Sequence, residues 1–233
     1  MLVDVWEELK TNFEASGFLV LPIVAHSADL WRDCLESEEK VQPNGNCVLI
    51  RRSLLSLQAP SISSFKISMD GNVAARICIT LAKSNYQVVI WTSHLESDDE
   101  PDTYAQTANV RATQIENIIQ HMDSCGDFKE LLIWGGDFNG SSREFPEIDR
   151  ISHVTCLKDV TSEYVSCRTD YHLRALTPID IIFCAGEYLV QSVTKFEGHQ
   201  GQGSFGEQTQ SLLTRYGSDH CPVGATIRLS MRH

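Results

Sequence analysis

Apolar positions recur along this chain with two different periods. From Asp4 to Ala15, the residues Val5, Trp6, Leu9 and Phe13 fall on one side of a 3.6-residue repeat, which predicts an amphipathic helix. A second helix is predicted from about Thr103 to Met122, where Ile115, Ile118, Ile119 and Met122 recur at helical spacing. Elsewhere the apolar runs are short and strand-like: Cys47 to Ile50, Ala75 to Leu81, Tyr86 to Thr92, Leu131 to Trp134, Ile179 to Cys184, Leu189 to Phe196 and Val223 to Leu229. Asn44-Gly45-Asn46 signals a turn before the first of these, and Lys83-Ser84-Asn85 joins the next two as a strand pair. Gly198 to Gly206, with four glycines, reads as a mobile loop. Many strands with few helices between them suit an α/β sandwich better than a Rossmann arrangement. No internal repeat is visible.

Chemistry gathers at the ends of these strands. Gly135-Gly136-Asp137-Phe138-Asn139 follows the apolar run Leu131-Leu132-Ile133-Trp134. Its two glycines allow a sharp turn or a close backbone approach to a ligand, and a carboxylate and an amide follow. Ser218-Asp219-His220 precedes the last strand. Gln87 to Ser93 runs into His94-Leu95-Glu96-Ser97, and Pro178-Ile179-Asp180-Ile181-Ile182-Phe183 sets one acid inside an apolar strand. An acid in such a place needs a partner to be tolerated. Carboxylates, an amide and histidines at strand ends are the groups that phosphate-ester hydrolysis requires: a base to position water, donors to cradle the phosphate, and a cation to offset charge.

In this order, strand-His-Leu, Gly-Asp-x-Asn, Ile-Asp-x-Ile-Phe and Ser-Asp-His resemble the endonuclease/exonuclease/phosphatase superfamily, from about Gly45 to the C-terminus. Thr92-Ser93-His94-Leu95-Glu96-Ser97, Arg111 and Gln114 on the helix that follows, and Arg143-Glu144 beyond Asn139 are similar to the tyrosyl-DNA phosphodiesterase 2 family within it. The resemblance implies a four-layer α/β sandwich of two packed, mostly antiparallel sheets flanked by helices. It implies a metal-dependent phosphodiesterase acting on nucleic-acid ends, with 5′-tyrosyl-DNA repair as the specific expectation. The cofactor implied is magnesium, or manganese in its place.

Carried onto this chain, the family motif makes Asp137 the group that orients or deprotonates water. Asn139 would donate to a phosphate oxygen or hold Asp137, and His220, oriented by Asp180, would stabilise transition-state charge. His94 would contact the phosphate from the other side. Asp219 is the metal-shell residue, direct or through water. Arg143 and Arg111 are the substrate-binding candidates. By pattern, Arg111 and Gln114 read as exposed-face helix residues, for which an ordinary surface role is equally open. The alternatives are a deadenylase-type 3′-exoribonuclease, which shares Gly-Asp-Phe-Asn and Ser-Asp-His, and a non-catalytic remnant.

Two departures bear on these expectations. Superfamily members begin with a strand carrying Asn or Asp, then a second ending in Leu-Gln-Glu, whose glutamate is a principal metal ligand. No Leu-Gln-Glu occurs here, so the single domain expected over residues 1–233 is taken as N-terminally truncated relative to the family, lacking its first strands and binding metal weakly. The family's Thr-Trp-Asp-Thr stretch corresponds to Ser166-Cys167-Arg168-Thr169-Asp170, without the tryptophan on which a DNA end would pack.

Composition adds constraints. A chain of 233 residues with 42% hydrophobic content suits one large α/β domain. The net charge of −12 argues against broad attraction to nucleic acid and leaves room only for a local basic patch. Glu36-Ser37-Glu38-Glu39 and Glu96 to Glu100 read as solvated acidic loops. Eight cysteines are scattered without a C-x-x-C pair, which favours reduced thiols in an intracellular protein, nuclear or cytoplasmic. A monomer without membrane association is expected, its partner a DNA end bearing a 5′-phosphotyrosyl adduct or an RNA 3′ end.

Overall fold

A computed structural model describes residues 3–24, 45–67, 73–96, 104–140, 158–161, 179–194 and 223–229. The chain divides into two compact units, Met1–His94 and Leu95–His233.

In the first unit, helix α1 (Val3–Ala15) is followed by strand β1 (Phe18–Val24), which pairs antiparallel with β2 (Gly45–Arg51). The helix is the one its periodicity predicts. Gly17 makes the corner between α1 and β1, with a φ of 84° that a glycine adopts without penalty. Phe13 on the helix meets Phe18 edge-on at 6.1 Å, and the Arg51 guanidinium lies 4.8 Å over the Phe18 ring. Strands β3 (Ser61–Lys66), β4 (Val73–Thr80) and β5 (Gln87–His94) form an antiparallel run in that order. Ala75, Ile77 and Ile79 of β4 share one face with Thr92, Ile90 and Val88 of β5, while Trp91 and Val89 lie on the other face beside Arg76 and Cys78, so these strands bury residues on both faces. Phe65 covers Trp91, the rings stacked at 5.3 Å. The hairpin between β4 and β5 turns at Asn85, whose φ of 52° lies in the left-handed region that asparagine tolerates.

In the second unit, helix α2 (Tyr104–Ser124) precedes β6 (Leu131–Asp137), β7 (Lys158–Asp159), β8 (Asp180–Ala185), β9 (Tyr188–Thr194) and β10 (Gly224–Leu229). Strand β8 lies between β6 and β7, antiparallel to both, while β9 pairs antiparallel with β10. The face that α2 buries is Arg111, Gln114, Ile115, Ile118, Ile119 and Met122. The apolar members are those predicted; the arginine and glutamine extend the same stripe one turn back. The core of β6 and β8 is aromatic. Trp134 lies 4.8 Å from Phe138 and 5.5 Å from Phe183, and Phe138 lies 5.2 Å from Phe183, each ring fully buried or nearly so.

Four cysteines among the described residues, Cys47, Cys78, Cys125 and Cys184, are free thiols, and burial pushes the Cys184 thiol up to about 12. Among the described residues no helix is long and apolar enough to cross a membrane. The glycine-rich stretch from Gly198 to Gly206 lies outside the described residues.

The turn from β8 to β9 gives a direct test of backbone constraint. Gly186 has a φ of 105°, and a Cβ there would sit 2.6 Å from the Glu130 carbonyl oxygen. Gly186→Ala is therefore expected to cost about 1–3 kcal/mol from the strained backbone, with the clash adding to it. Gly17→Ala, with a φ of 84° and no atom within 4 Å of the new methyl, should cost only about 1–2 kcal/mol. Urea unfolding of both variants checks the order; an unchanged midpoint for Gly186→Ala would mean the turn relaxes freely.

Candidate active site

Strand β6 runs through both glycines before it ends. Gly135 pairs with Ile182 and Gly136 with Ile181, so the pair does not form the sharp turn that its composition suggests. A Cβ at Gly135 would meet its nearest neighbours at 3.9 Å, ordinary van der Waals contact. The chain turns at Asn139, two residues past the end of β6 at Asp137, with a φ of 48°.

That turn locks three groups together. The Asn139 backbone N–H donates to Asp137 Oδ1 at 2.9 Å, an aspartate turn that orients the carboxylate. The Asn139 side-chain Nδ2 donates to the Leu95 carbonyl at 2.8 Å, and the Leu95 N–H donates to the Asp137 carbonyl at 2.9 Å. Between them, the Phe138 N–H donates to the Ile179 carbonyl at 2.8 Å while its ring enters the aromatic core. A buried ring thus separates two polar side chains and fixes the phase of the turn.

In the antiparallel register of β6 and β8, Asp137 stands directly opposite Asp180. Opposed residues on antiparallel strands project to one face with Cβ atoms about 4.5–5.5 Å apart. Both carboxylates are half-buried. Asp180 is the first residue of β8 and not a fully buried acid in mid-strand, which its apolar neighbours had suggested. Like charges opposed across a strand pair destabilise the pairing. The register therefore brings two acids together against the preference of the sheet.

Behind this turn, helix α2 grips the same backbone. The Glu96 N–H donates to Gln114 Oε1 at 3.0 Å, and Arg111 donates through a terminal guanidinium nitrogen to the Glu96 carbonyl at 3.3 Å. Arg111 is 0% exposed and Gln114 1%. This corrects the reading of both as exposed-face residues and removes Arg111 from the substrate-binding set: a guanidinium so enclosed does not meet a ligand arriving from solvent. The signal was present. Stepping back from Ile115 and Ile118 by four residues reaches Arg111 and Gln114, in phase with the buried stripe.

His94, in the first unit, ends β5 with its side chain exposed. Glu96 is half-buried and does not belong to a freely solvated run. Arg143, Asp219 and His220 lie outside the described residues, and with them the expected contact between Asp180 and His220. So does the stretch Ser166 to Asp170. Among the described residues, no group of three histidine, cysteine, aspartate or glutamate side chains gathers as a metal site.

No protein-family model and no curated protein sequence matches the chain. Solved structures do. The human Nocturnin catalytic domain with bound sulfate is similar over 95% of this chain and 76% of that one, at 16% identity and a TM-score of 0.67. D. rerio TDP2 complexed with a single-strand DNA product is similar over 97% and 83%, at 16% identity and a TM-score of 0.58. An endonuclease/exonuclease/phosphatase family protein from Bacteroides thetaiotaomicron is similar over 99% and 81%, at 12% identity and a TM-score of 0.64. At these identities the likeness is one of fold. The chain has the endonuclease/exonuclease/phosphatase fold, and the α/β class predicted from its strand and helix pattern is borne out.

Proposed function

We propose that the chain is a magnesium-dependent phosphoesterase that cleaves a phosphodiester at a nucleic-acid end, with 5′-tyrosyl DNA as its substrate. The observation that carries the reading is the opposed pair Asp137 and Asp180 at the end of β6, beside an asparagine pinned by its own side chain. The fold adds support. Among structures that share it, Nocturnin holds a sulfate, a tetrahedral anion like a phosphate, and TDP2 holds a DNA product.

In this reading Asp137 orients and deprotonates the attacking water, its carboxylate held by the Asn139 N–H. An asparagine amide carries two N–H donors, and with one on Leu95 the second is the donor for a phosphate oxygen. Asp180 orients His220, whose imidazole stabilises charge developing on the phosphate. Arg143 binds the phosphate through its planar fork. His94 is a further phosphate contact on its motif alone. Carboxylate oxygens are the donors that hard cations take, so an acid-lined strand end fits magnesium, with Asp219 and water as the proposed ligands. When bound, the ion would supply neutralisation of phosphate charge. A net charge of −12 disfavours long duplex contacts and suits recognition confined to an end.

The experiment is a substrate comparison in magnesium and in chelator. A 5′-phosphotyrosyl oligonucleotide should release tyrosine and leave a 5′-phosphate, and chelator should stop the release. Shortening of oligo(A) from its 3′ end with the tyrosyl adduct untouched would place the chain with the exoribonucleases instead. Turnover of neither, nor of a simple aryl phosphodiester, would remove the hydrolytic reading.

A further inference from the structure

Arg111 and Gln114 are the large polar side chains that α2 buries, and the proposed chemistry leaves them without a task. Both reach the same peptide groups. Gln114 accepts from the Glu96 N–H, and Arg111 donates to the Glu96 carbonyl. One residue earlier, Leu95 donates its N–H to the Asp137 carbonyl and accepts from the Asn139 side-chain amide. The short segment Leu95-Glu96 is thus held from one side by the helix and from the other by the end of β6.

We propose that Arg111 and Gln114 are positioning residues that set Asn139, and through it Asp137, by fixing the Leu95-Glu96 backbone. The physical case rests on where these bonds fall. The segment lies just past the last residue of β5, and α2 and the end of β6 both bond to its peptide groups. Side-chain groups on a rigid helix give the segment a defined position against the end of β6. Asn139 sits in a left-handed conformation, and its Leu95 bond ties the side chain of that turn to the clamped segment. If the Leu95 carbonyl moves, the amide follows it or loses its acceptor. Displacing a reacting group by about an ångström costs up to ~10²-fold in rate, so a loosened clamp is read in turnover before it is read in binding.

This inference deepens the phosphoesterase reading and rests on it for its kinetic arm. Gln114→Met keeps length and removes the oxygen that accepts from Glu96. On a substrate the parent cleaves, Gln114→Met is expected to lower kcat by roughly tenfold or more, with KM changed less than about twofold. Asn139→Ala should lower kcat as well, and the double variant should be no worse than Asn139→Ala. Losses that multiply would show that Gln114 acts independently of Asn139 and would overturn the proposal. A fall in thermal midpoint with kcat per folded molecule unchanged would also overturn it, since that is what a purely structural role produces.

A second measurement does not depend on activity. In nitrogen–proton spectra, the Asn139 side-chain amide is expected to shift and exchange faster in Gln114→Met and in Arg111→Lys, relative to the parent. Unmoved Asn139 resonances in folded variants would sink the positioning role even in an active enzyme. A shifted resonance in a chain that hydrolyses nothing would leave the clamp standing and the phosphoesterase reading fallen.

Discussion

Asp137→Asn is expected to lower phosphoester hydrolysis by ~10²-fold or more while the fold stays intact. The substitution is nearly isosteric. It keeps an oxygen to accept from the Asn139 N–H, so the turn that closes β6 retains its hydrogen bond. What it removes is the negative charge and basicity needed to take a proton from water. It also removes one of two like charges opposed across β6 and β8, so stability should hold or rise slightly. Circular dichroism and thermal melting establish the fold, and steady-state turnover on the parent's substrate reads the effect. Near-full turnover by a folded Asp137→Asn protein would sink the assignment of Asp137 as the base.

The largest effect on stability is expected at Trp134. Its indole is fully buried and packs against both Phe138 and Phe183. Truncation to alanine leaves a cavity between β6 and β8 and should cost about 3–5 kcal/mol. A domain is typically stable by only about 5–15 kcal/mol, so Trp134→Ala should be near the edge of folding. Trp134→Phe fills most of the space and should lose far less. Phe138 lies between Asp137 and Asn139, so damage to this cluster reaches the site directly. Denaturant unfolding of both variants gives the comparison. A loss below about 1 kcal/mol in Trp134→Ala would mean that neighbouring side chains collapse into the space.

Much of the fold is legible in local pattern because α2 buries one face and the central strands are apolar runs buried on both faces. Ile115, Ile118, Ile119 and Met122 mark α2, and the runs around Ile77, Trp91, Trp134 and Phe183 mark β4, β5, β6 and β8. The elements without that mark go unread. Strand β1 is an apolar run, Phe18 to Val24, interrupted by Pro22, and it draws its partners from β2 across a long connection. Strand β3 is Ser61 to Lys66, mostly exposed, and is defined by pairing with β4 rather than by its own composition. Strand β7 is only Lys158–Asp159.

The candidate site divides the same way. Motif spacing brings Asp137 and Asn139 forward, since the chemistry and the turn are local. That Asp180 stands opposite Asp137 is a matter of register between distant strands, which no local pattern carries. Arg111 escapes the local pattern because its charge favours an exposed face while its phase on α2 places it in the buried stripe. Burial of a guanidinium needs an acceptor, and the Glu96 carbonyl that provides one is invisible until the helix is docked.

The central claim is that Asp137 and Asp180 serve one reacting phosphate. A double-substitution cycle on kcat/KM with Asp137→Asn, Asp180→Asn and the pair tests it most directly. Residues that act as a unit are non-additive, so the double variant should lose little more than the worse single variant, about 10²-fold. Losses that multiply to about 10⁴-fold would contradict the claim, and so would an Asp180→Asn protein that keeps full turnover.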